Sequence, residues 1–135
     1  MISFDKVFLI DDDSVFNLIH FKMINKFAFA KDVLVYQNAK EALEEFNKCR
    51  IEGKLHLPDF IFLDINMPVM DGWEFLDELS KFDDGLFEHC KVVMLSSSID
   101  VADIEKSKEY KMVVHYIAKP LTLPKLEAIS SGLYE

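Results

Sequence analysis

The chain has 135 residues, of which 50% are hydrophobic and 29% are charged, and these proportions predict a folded globular protein. A chain of this length has room for one hydrophobic core, so we expect a single domain over residues 1–135. Its 24 acidic and 15 basic residues give a net charge of −9, which argues against binding to nucleic acids or to anionic membranes.

Five short apolar or β-branched runs predict five strands. Each run is long enough for a strand and far too short to span a membrane. Most of them stop abruptly at a polar residue, as strands buried on both faces do where they leave a sheet. The predicted strands cover residues 6–10, 33–36, 60–63, 92–95 and 112–118.

A segment with apolar residues at helical spacing follows each of these strands. Residues with short polar side chains that can cap a helix stand before most of these segments. The first four predicted helices run from Ser14 to about Lys26, from Asn38 to about Gly53, from about Trp73 to about Phe82 and from Ser98 to about Tyr110. The fifth begins at Thr122, and Ser14, Asn38, Ser98 and Thr122 are the predicted caps.

This alternation of strand and helix predicts an α/β fold with a doubly wound, five-stranded parallel sheet. Right-handed crossover connections place helices on both faces of such a sheet. Ligands then bind at the carboxyl ends of the strands, so polar residues at those ends are the candidate functional residues.

Five polar residues follow or end the predicted strands: Asp11, Asp12, Asp64, Ser96 and Lys119. Three carboxylates brought together repel one another, which implies a neutralising cation, and Mg²⁺ prefers this kind of oxygen ligand. A lysine and a hydroxyl can both bind the oxygens of a phosphoryl group. The pattern therefore predicts phosphoryl transfer, with Asp64 as the acceptor.

Four motifs in chain order resemble the receiver domain of two-component response regulators, of the stand-alone chemotaxis-regulator type. They are Leu-Ile-Asp-Asp at residues 9–12, Phe-Leu-Asp-Ile-Asn-Met-Pro-Val-Met-Asp-Gly at 62–72, Met-Leu-Ser at 94–96 and Tyr-Ile-Ala-Lys-Pro at 116–120. The resemblance covers essentially the whole chain. It implies a flavodoxin-like fold with strand order 2-1-3-4-5, and we expect no output domain.

The resemblance also implies roles for individual residues. Asp64 would accept a phosphoryl group from the phosphohistidine of a sensor histidine kinase or a histidine phosphotransfer protein. Asp11, Asp12, Asp64 and the backbone carbonyl of Asn66 would coordinate Mg²⁺ or Mn²⁺, and Lys119 would bind the phosphoryl group. Such a protein is not an enzyme, beyond catalysing its own phosphorylation and dephosphorylation.

Signalling would use a second set of residues. Ser96 and Tyr116 would form the switch pair, and the family pattern leads us to expect a cis peptide bond between Lys119 and Pro120. Output would be phosphorylation-dependent binding to a protein target that the sequence does not name, by a monomer or weak dimer in the cytoplasm.

Two other functions remain open. A complete motif could belong to an unphosphorylated pseudo-receiver that acts as an interaction module. An aspartyl-phosphate phosphatase is a weaker alternative, because such enzymes have a second acid two residues after the nucleophile and this chain has Asn66 there.

The histidines and cysteines carry no predicted chemistry. None of the four histidines has metal-binding spacing, so we expect them to be solvated or structural. Cys49 and Cys90 are far apart in the sequence without a CxxC motif, which favours a reducing cytoplasm.

Overall fold

Strands and helices alternate in the computed structural model, which describes residues 3–97 and 99–132, without the side chain of Asp84. Within these residues the strands are β1 (Phe4–Ile10), β2 (Ala30–Tyr36), β3 (Phe60–Leu63), β4 (Lys91–Ser96) and β5 (Val113–Ala118). The α-helices of the same described part are α1 (Ser14–Lys26), α2 (Ala39–Glu52), α3 (Gly72–Leu79), α4 (Val101–Ser107) and α5 (Leu123–Ser130).

The five strands form one parallel sheet in the order β2-β1-β3-β4-β5, which confirms the predicted fold. Alternate residues of β1 point to opposite faces, with Phe8 and Ile10 in one core and Val7 and Leu9 in the other. Helices α2 and α3 pack on the first face, and α1 and α5 pack on the second. None of the helices in residues 3–97 and 99–132 combines the length and apolar composition of a membrane span.

The start of α1 differs from the prediction by one residue. Asp13, and not Ser14, is the cap, because its carboxylate accepts hydrogen bonds from the backbone N–H groups of Val15 and Phe16 at 2.9 and 3.2 Å. A carboxylate at this position also interacts favourably with the positive end of the helix dipole. The predicted caps Asn38 and Thr122 are confirmed for α2 and α5.

Helices α3 and α4 are shorter than predicted. The turns that follow α3 are not α-helical, so this helix ends at Leu79 and not near Phe82. Helix α4 is capped by Asp100, whose side chain accepts from the N–H of Ala102, and it ends at Ser107. The predicted cap of α4, Ser98, lies outside the described residues.

Candidate functional site

The candidate functional site lies where the parallel strands end. Asp11 directly follows β1 and Asp64 directly follows β3, and in this strand pair Ile10 lies opposite Leu63. The backbone N–H of Asp64 donates to the carbonyl of Ile10 at 3.0 Å. The register of the sheet therefore places the two acidic residues side by side.

Three carboxylates meet at this edge. One oxygen from each of Asp11, Asp12 and Asp64 lies within 4.8 Å of the other two, and only Asp12 is exposed. Burial, together with the charge of Asp11, raises the pKa of Asp64 to about 6, although Lys119 opposes this shift. A hard divalent cation such as Mg²⁺ or Mn²⁺ binds such oxygen atoms, so the donor set fits the cation that the sequence predicts.

A buried lysine lies against two of these carboxylates. The Nζ of Lys119 is 2.6 Å from Asp11 Oδ2 and 3.2 Å from Asp64 Oδ1, and its side chain is only 4% exposed. Burial by itself lowers the pKa of Lys119, but the hydrogen bond to Asp11 and the charges of Asp64 and Asp11 raise it above its ordinary value. Lys119 is therefore a permanent cation in the site, and it balances one of the three carboxylates.

The backbone around Lys119 is held from the side of α5. The peptide bond between Lys119 and Pro120 is cis. The Nζ of Lys125, in α5, donates to the carbonyls of Ala118 and Pro120 at 2.7 and 3.0 Å, on either side of Lys119. The N–H of Lys119 donates to the carbonyl of Ser96 at 2.8 Å. These contacts fix the point from which the Lys119 side chain reaches the carboxylates.

The connection between β3 and α3 passes very close to the backbone of Asp64. The N–H of Gly72 donates to the carbonyl of Ile65 at 2.8 Å. A Cβ at residue 72 would lie 2.5 Å from the carbonyl oxygen of Asp64, so only glycine fits there. Val69 adopts a left-handed φ of 71°, which a β-branched residue rarely does. Asn66 is exposed in this connection, two residues after Asp64.

The inner face of α1 adds three residues that the sequence did not single out for this site. The Nδ2 of Asn17 donates to the carbonyl of Asp11 at 2.7 Å. The ring of Phe16 faces the Nζ of Lys119, 4.6 Å from its centroid, and is stacked with His20 at 5.7 Å. Only the helical spacing of Phe16, Asn17 and His20 could have indicated a shared face, and that spacing is equally typical of a packed core.

The two predicted switch residues also lie together. Ser96 ends β4 and is 2% exposed, and Tyr116 lies on the neighbouring strand β5, opposite Met94. Burial raises the pKa of Tyr116 above its ordinary value, and a side-chain hydrogen bond with Ser96 opposes part of this increase. The hydroxyl of Ser96, at the end of β4, is thus hydrogen-bonded to the side chain of Tyr116 on β5.

The sequence matches one family over most of its length. Residues 7–130 match the response regulator receiver domain. The chain is 30% identical over 131 residues to the chemotaxis protein CheY of Halobacterium salinarum, covering 95% of this chain and 97% of that protein. It is 28% identical over 121 residues to the peroxide stress-activated histidine kinase mak1 of Schizosaccharomyces pombe, covering 87% of this chain but 7% of the kinase.

A solved structure is similar over nearly the entire chain. The crystal structure of a two-component response regulator from Cytophaga hutchinsonii has a TM-score of 0.89 and 28% sequence identity to this chain. The similarity covers 98% of each chain.

Proposed function

Because the chain belongs to the response regulator receiver domain family, we propose that it is a phosphoacceptor switch in which Asp64 is phosphorylated. Its donor is the phosphohistidine of a histidine kinase or of a histidine phosphotransfer protein. The observation that carries the proposal is the contact of Lys119 with Asp64 at 3.2 Å, beside the cluster of Asp11, Asp12 and Asp64.

In the proposed step, the phosphorus atom exchanges its bond to the donor nitrogen for a bond to an oxygen of Asp64. A carboxylate oxygen of ionised Asp64 attacks the phosphorus, a P–O bond forms, and the P–N bond to the donor histidine breaks. The electron pair of that bond returns to the imidazole nitrogen. Lys119 neutralises the charge that develops on the phosphoryl oxygens, and the hydroxyl of Ser96 can donate to one of them.

Asp11, Asp12 and Asp64 supply the carboxylates that would hold Mg²⁺ or Mn²⁺, together with the backbone carbonyl of Asn66. When bound there, the cation supplies positive charge to the phosphoryl oxygens. Lys119 balances one of the three carboxylates, so the remaining charge of the set matches a divalent ion.

Residues around the site are suited to docking the donor protein. Exposed apolar side chains come from three segments that surround the carboxyl edge of the sheet: the first turns of α1, the β3–α3 connection, and the β4–α4 connection with the first residue of α4. They are Val15, Leu18, Val69, Ile99 and Val101. A donor protein that carries its phosphohistidine on an apolar surface would bury these side chains as the phosphohistidine approached Asp64.

Output would begin at the pair formed by Ser96 and Tyr116. When Ser96 turns to the phosphoryl group, its hydrogen bond with Tyr116 is given up, and the ring is released to a new position. The surface of α4, β5 and α5 then differs between the two states, and a target protein binds one of them more tightly.

The free thiols of Cys49 and Cys90 fit a reducing cytoplasm.

Phosphorylation of Asp64 is tested by incubating the protein with Mg²⁺ and acetyl phosphate and measuring its intact mass. We expect one added phosphoryl group in the native protein and none in Asp64→Asn. The control is Asp32→Asn, the same change at an exposed residue of β2, which should accept the group normally.

An adduct that persists in Asp64→Asn would place the phosphoryl group on another residue and contradict the proposal. If no adduct forms on the native protein from acetyl phosphate or from a panel of phosphorylated histidine kinases, the chain is an unphosphorylated interaction module instead.

A further inference from the structure

The ammonium group of Lys119 has partners of two kinds. Two are carboxylate oxygens, on Asp11 at 2.6 Å and on Asp64 at 3.2 Å. The third is the face of the Phe16 ring, whose centroid is 4.6 Å from Nζ. An aromatic face attracts a cation at this distance, and the attraction is larger where water is excluded.

These partners respond differently to a divalent cation in the site. Asp11 and Asp64 are the groups that would ligate the cation, so its charge competes with Lys119 for them and also repels the ammonium group. The ring of Phe16 is no ligand for a hard cation, because Mg²⁺ and Mn²⁺ bind oxygen. The contact with Phe16 is therefore the one for which a bound cation would not compete.

The position of Phe16 is fixed by its own neighbours. Its backbone N–H donates to Asp13 Oδ1 at the cap of α1, and its ring is stacked with that of His20, one turn further along the helix. His20 is 1% exposed, so the half-buried ring of Phe16 stacks on a buried neighbour. The hydrogen bond from Asn17 to the carbonyl of Asp11 attaches the same turn of α1 to the site.

We propose that Phe16 is a positioning residue, whose ring keeps the Lys119 ammonium beside Asp64 when a divalent cation occupies the acidic cluster. The proposal rests on the proposed function of Asp64. Phe16 acts through Lys119 and does not touch the phosphoryl group itself.

The test compares aromatic and non-aromatic residues at position 16. Phe16→Leu and Phe16→Met keep an apolar side chain and remove the ring, and Phe16→Tyr keeps an aromatic face. The control is Phe27→Leu, which removes a similar half-buried ring that faces Lys26 at 5.4 Å at the other end of α1. Thermal unfolding of each variant establishes that it is folded.

The first measurement is the rate of phosphorylation by acetyl phosphate at saturating Mg²⁺. We expect Phe16→Leu and Phe16→Met to be slower by about 2- to 30-fold, the range that corresponds to the loss of a cation–π contact. Phe16→Tyr and Phe27→Leu should react at close to the native rate. Equal slowing by Phe16→Tyr or by Phe27→Leu would overturn the proposal, because it would indicate a general packing defect.

The second measurement does not depend on phosphorylation. The NMR signals of the Lys119 CεH₂ protons are expected to be shifted upfield by the ring current of Phe16, with and without Mg²⁺. The shift should persist in Phe16→Tyr and be lost in Phe16→Leu. If Mg²⁺ abolishes the shift in the native protein, the ring does not retain the ammonium group and the proposal is wrong. A protein that keeps the shift but takes no phosphoryl group would disprove the function of Asp64 and leave the role of Phe16 intact.

Discussion

His20 is held neutral by its surroundings. Burial, followed by the charge of Lys119, lowers the pKa of its imidazole from 6.5 to about 4, although the charge of Asp11 opposes the shift and Lys125 adds to it. Its Nε2 has no hydrogen-bond partner within the part of the chain that the structure describes. Protonation would therefore place a charge in a buried position beside two lysines.

This predicts a contribution of His20 to acid sensitivity. The folded pKa is below the unfolded value, so the unfolded state binds the proton first as pH falls. The stability that neutral His20 contributes is complete above pH 6.5 and is lost as pH falls to about 4, amounting to about 3 kcal/mol. Urea unfolding of His20→Leu from pH 7.5 to 4 should show a shallower loss of stability than the native protein.

The control for this prediction is His56→Gln, which removes a histidine that is exposed and 3.5 Å from Glu52. Its stability should follow the native pH dependence. An unchanged slope in His20→Leu would mean that other groups cause the acid sensitivity.

The charged residues of the site could be predicted from sequence, and the residues that support them could not. Asp11, Asp64 and Lys119 each follow a recognisable strand, and the ends of parallel strands must converge. Phe16 and His20 lie on a helix, where the same spacing also describes ordinary core packing. Their relation to Lys119 depends on how the start of α1 lies against the segment that follows β5, which no local pattern encodes.

At the scale of elements, the β3–α3 connection is closely constrained next to the site. Asp71 and Glu74 form a capping box at the start of α3, with hydrogen bonds of 2.9 and 3.1 Å. Gly72 begins the helix against the backbone of Asp64 and Ile65. Asp64 and the start of α3 are therefore in close backbone contact.

Gly72→Ala should consequently destabilise the protein. The new Cβ would lie 2.5 Å from the carbonyl oxygen of Asp64 and 2.9 Å from the Cα of Ile65, and neither backbone atom can yield cheaply. We expect the free energy of unfolding to fall by about 1–3 kcal/mol, as for other overpacked sites, measured by urea denaturation.

Gly85→Ala is the matched control for this change. Its Cβ would meet only side-chain atoms, Asp83 Oδ1 at 3.4 Å and Lys54 Nζ at 3.5 Å, which can move aside. Gly85→Ala should therefore lower the free energy of unfolding by less than Gly72→Ala does. Equal stability of the two variants would show that the turn at Gly72 is not tight.

The predicted bounds were reliable where an element is buried throughout. Strand β3 covers residues 60–63 as predicted, because all four of its side chains are buried and form one apolar run. The edge strand β2 begins earlier than predicted, at Ala30, since Lys31 and Asp32 are exposed and break the apolar pattern. Helix ends were the weakest predictions, because neighbouring polar residues such as Asp13 and Ser14 can both cap a helix.

At the scale of the whole molecule, the negative charge is partly concentrated at one edge of the sheet. The chain carries a net charge of −9, and three of its carboxylates lie within 4.8 Å of one another. This repulsion is present in the folded state, and a cation bound at the cluster would relieve it. Binding to the folded form alone must stabilise that form.

We therefore expect Mg²⁺ to raise the melting temperature. At a concentration 100 times its dissociation constant, a ligand specific for the folded state stabilises it by about 2.7 kcal/mol. Calorimetry with and without Mg²⁺, at constant ionic strength, measures the gain. Asp12→Asn should reduce it, whereas Asp32→Asn on the outer strand should not. An equal gain from Na⁺ would mean that simple screening is responsible.

The sheet as a whole was predictable in class, and its strand order followed from the family resemblance. Five alternating strands and helices require parallel pairing with helices on both faces. The order β2-β1-β3-β4-β5 confirms that resemblance. Alternation alone does not determine the order, because the same pattern of burial on both faces fits other arrangements of central and edge strands.

The charged residues of the site are synthesised in a fixed order. As the chain is synthesised, Asp11, Asp12 and Asp64 leave the ribosome well before Lys119, which arrives only after β5. A nascent chain that ends before this strand contains all three carboxylates but lacks the ammonium group that lies 2.6 Å from Asp11 in the folded protein. Without this lysine, the charge of the three carboxylates is balanced only by cations from solution; the segment after β5 supplies a positive charge from within the chain.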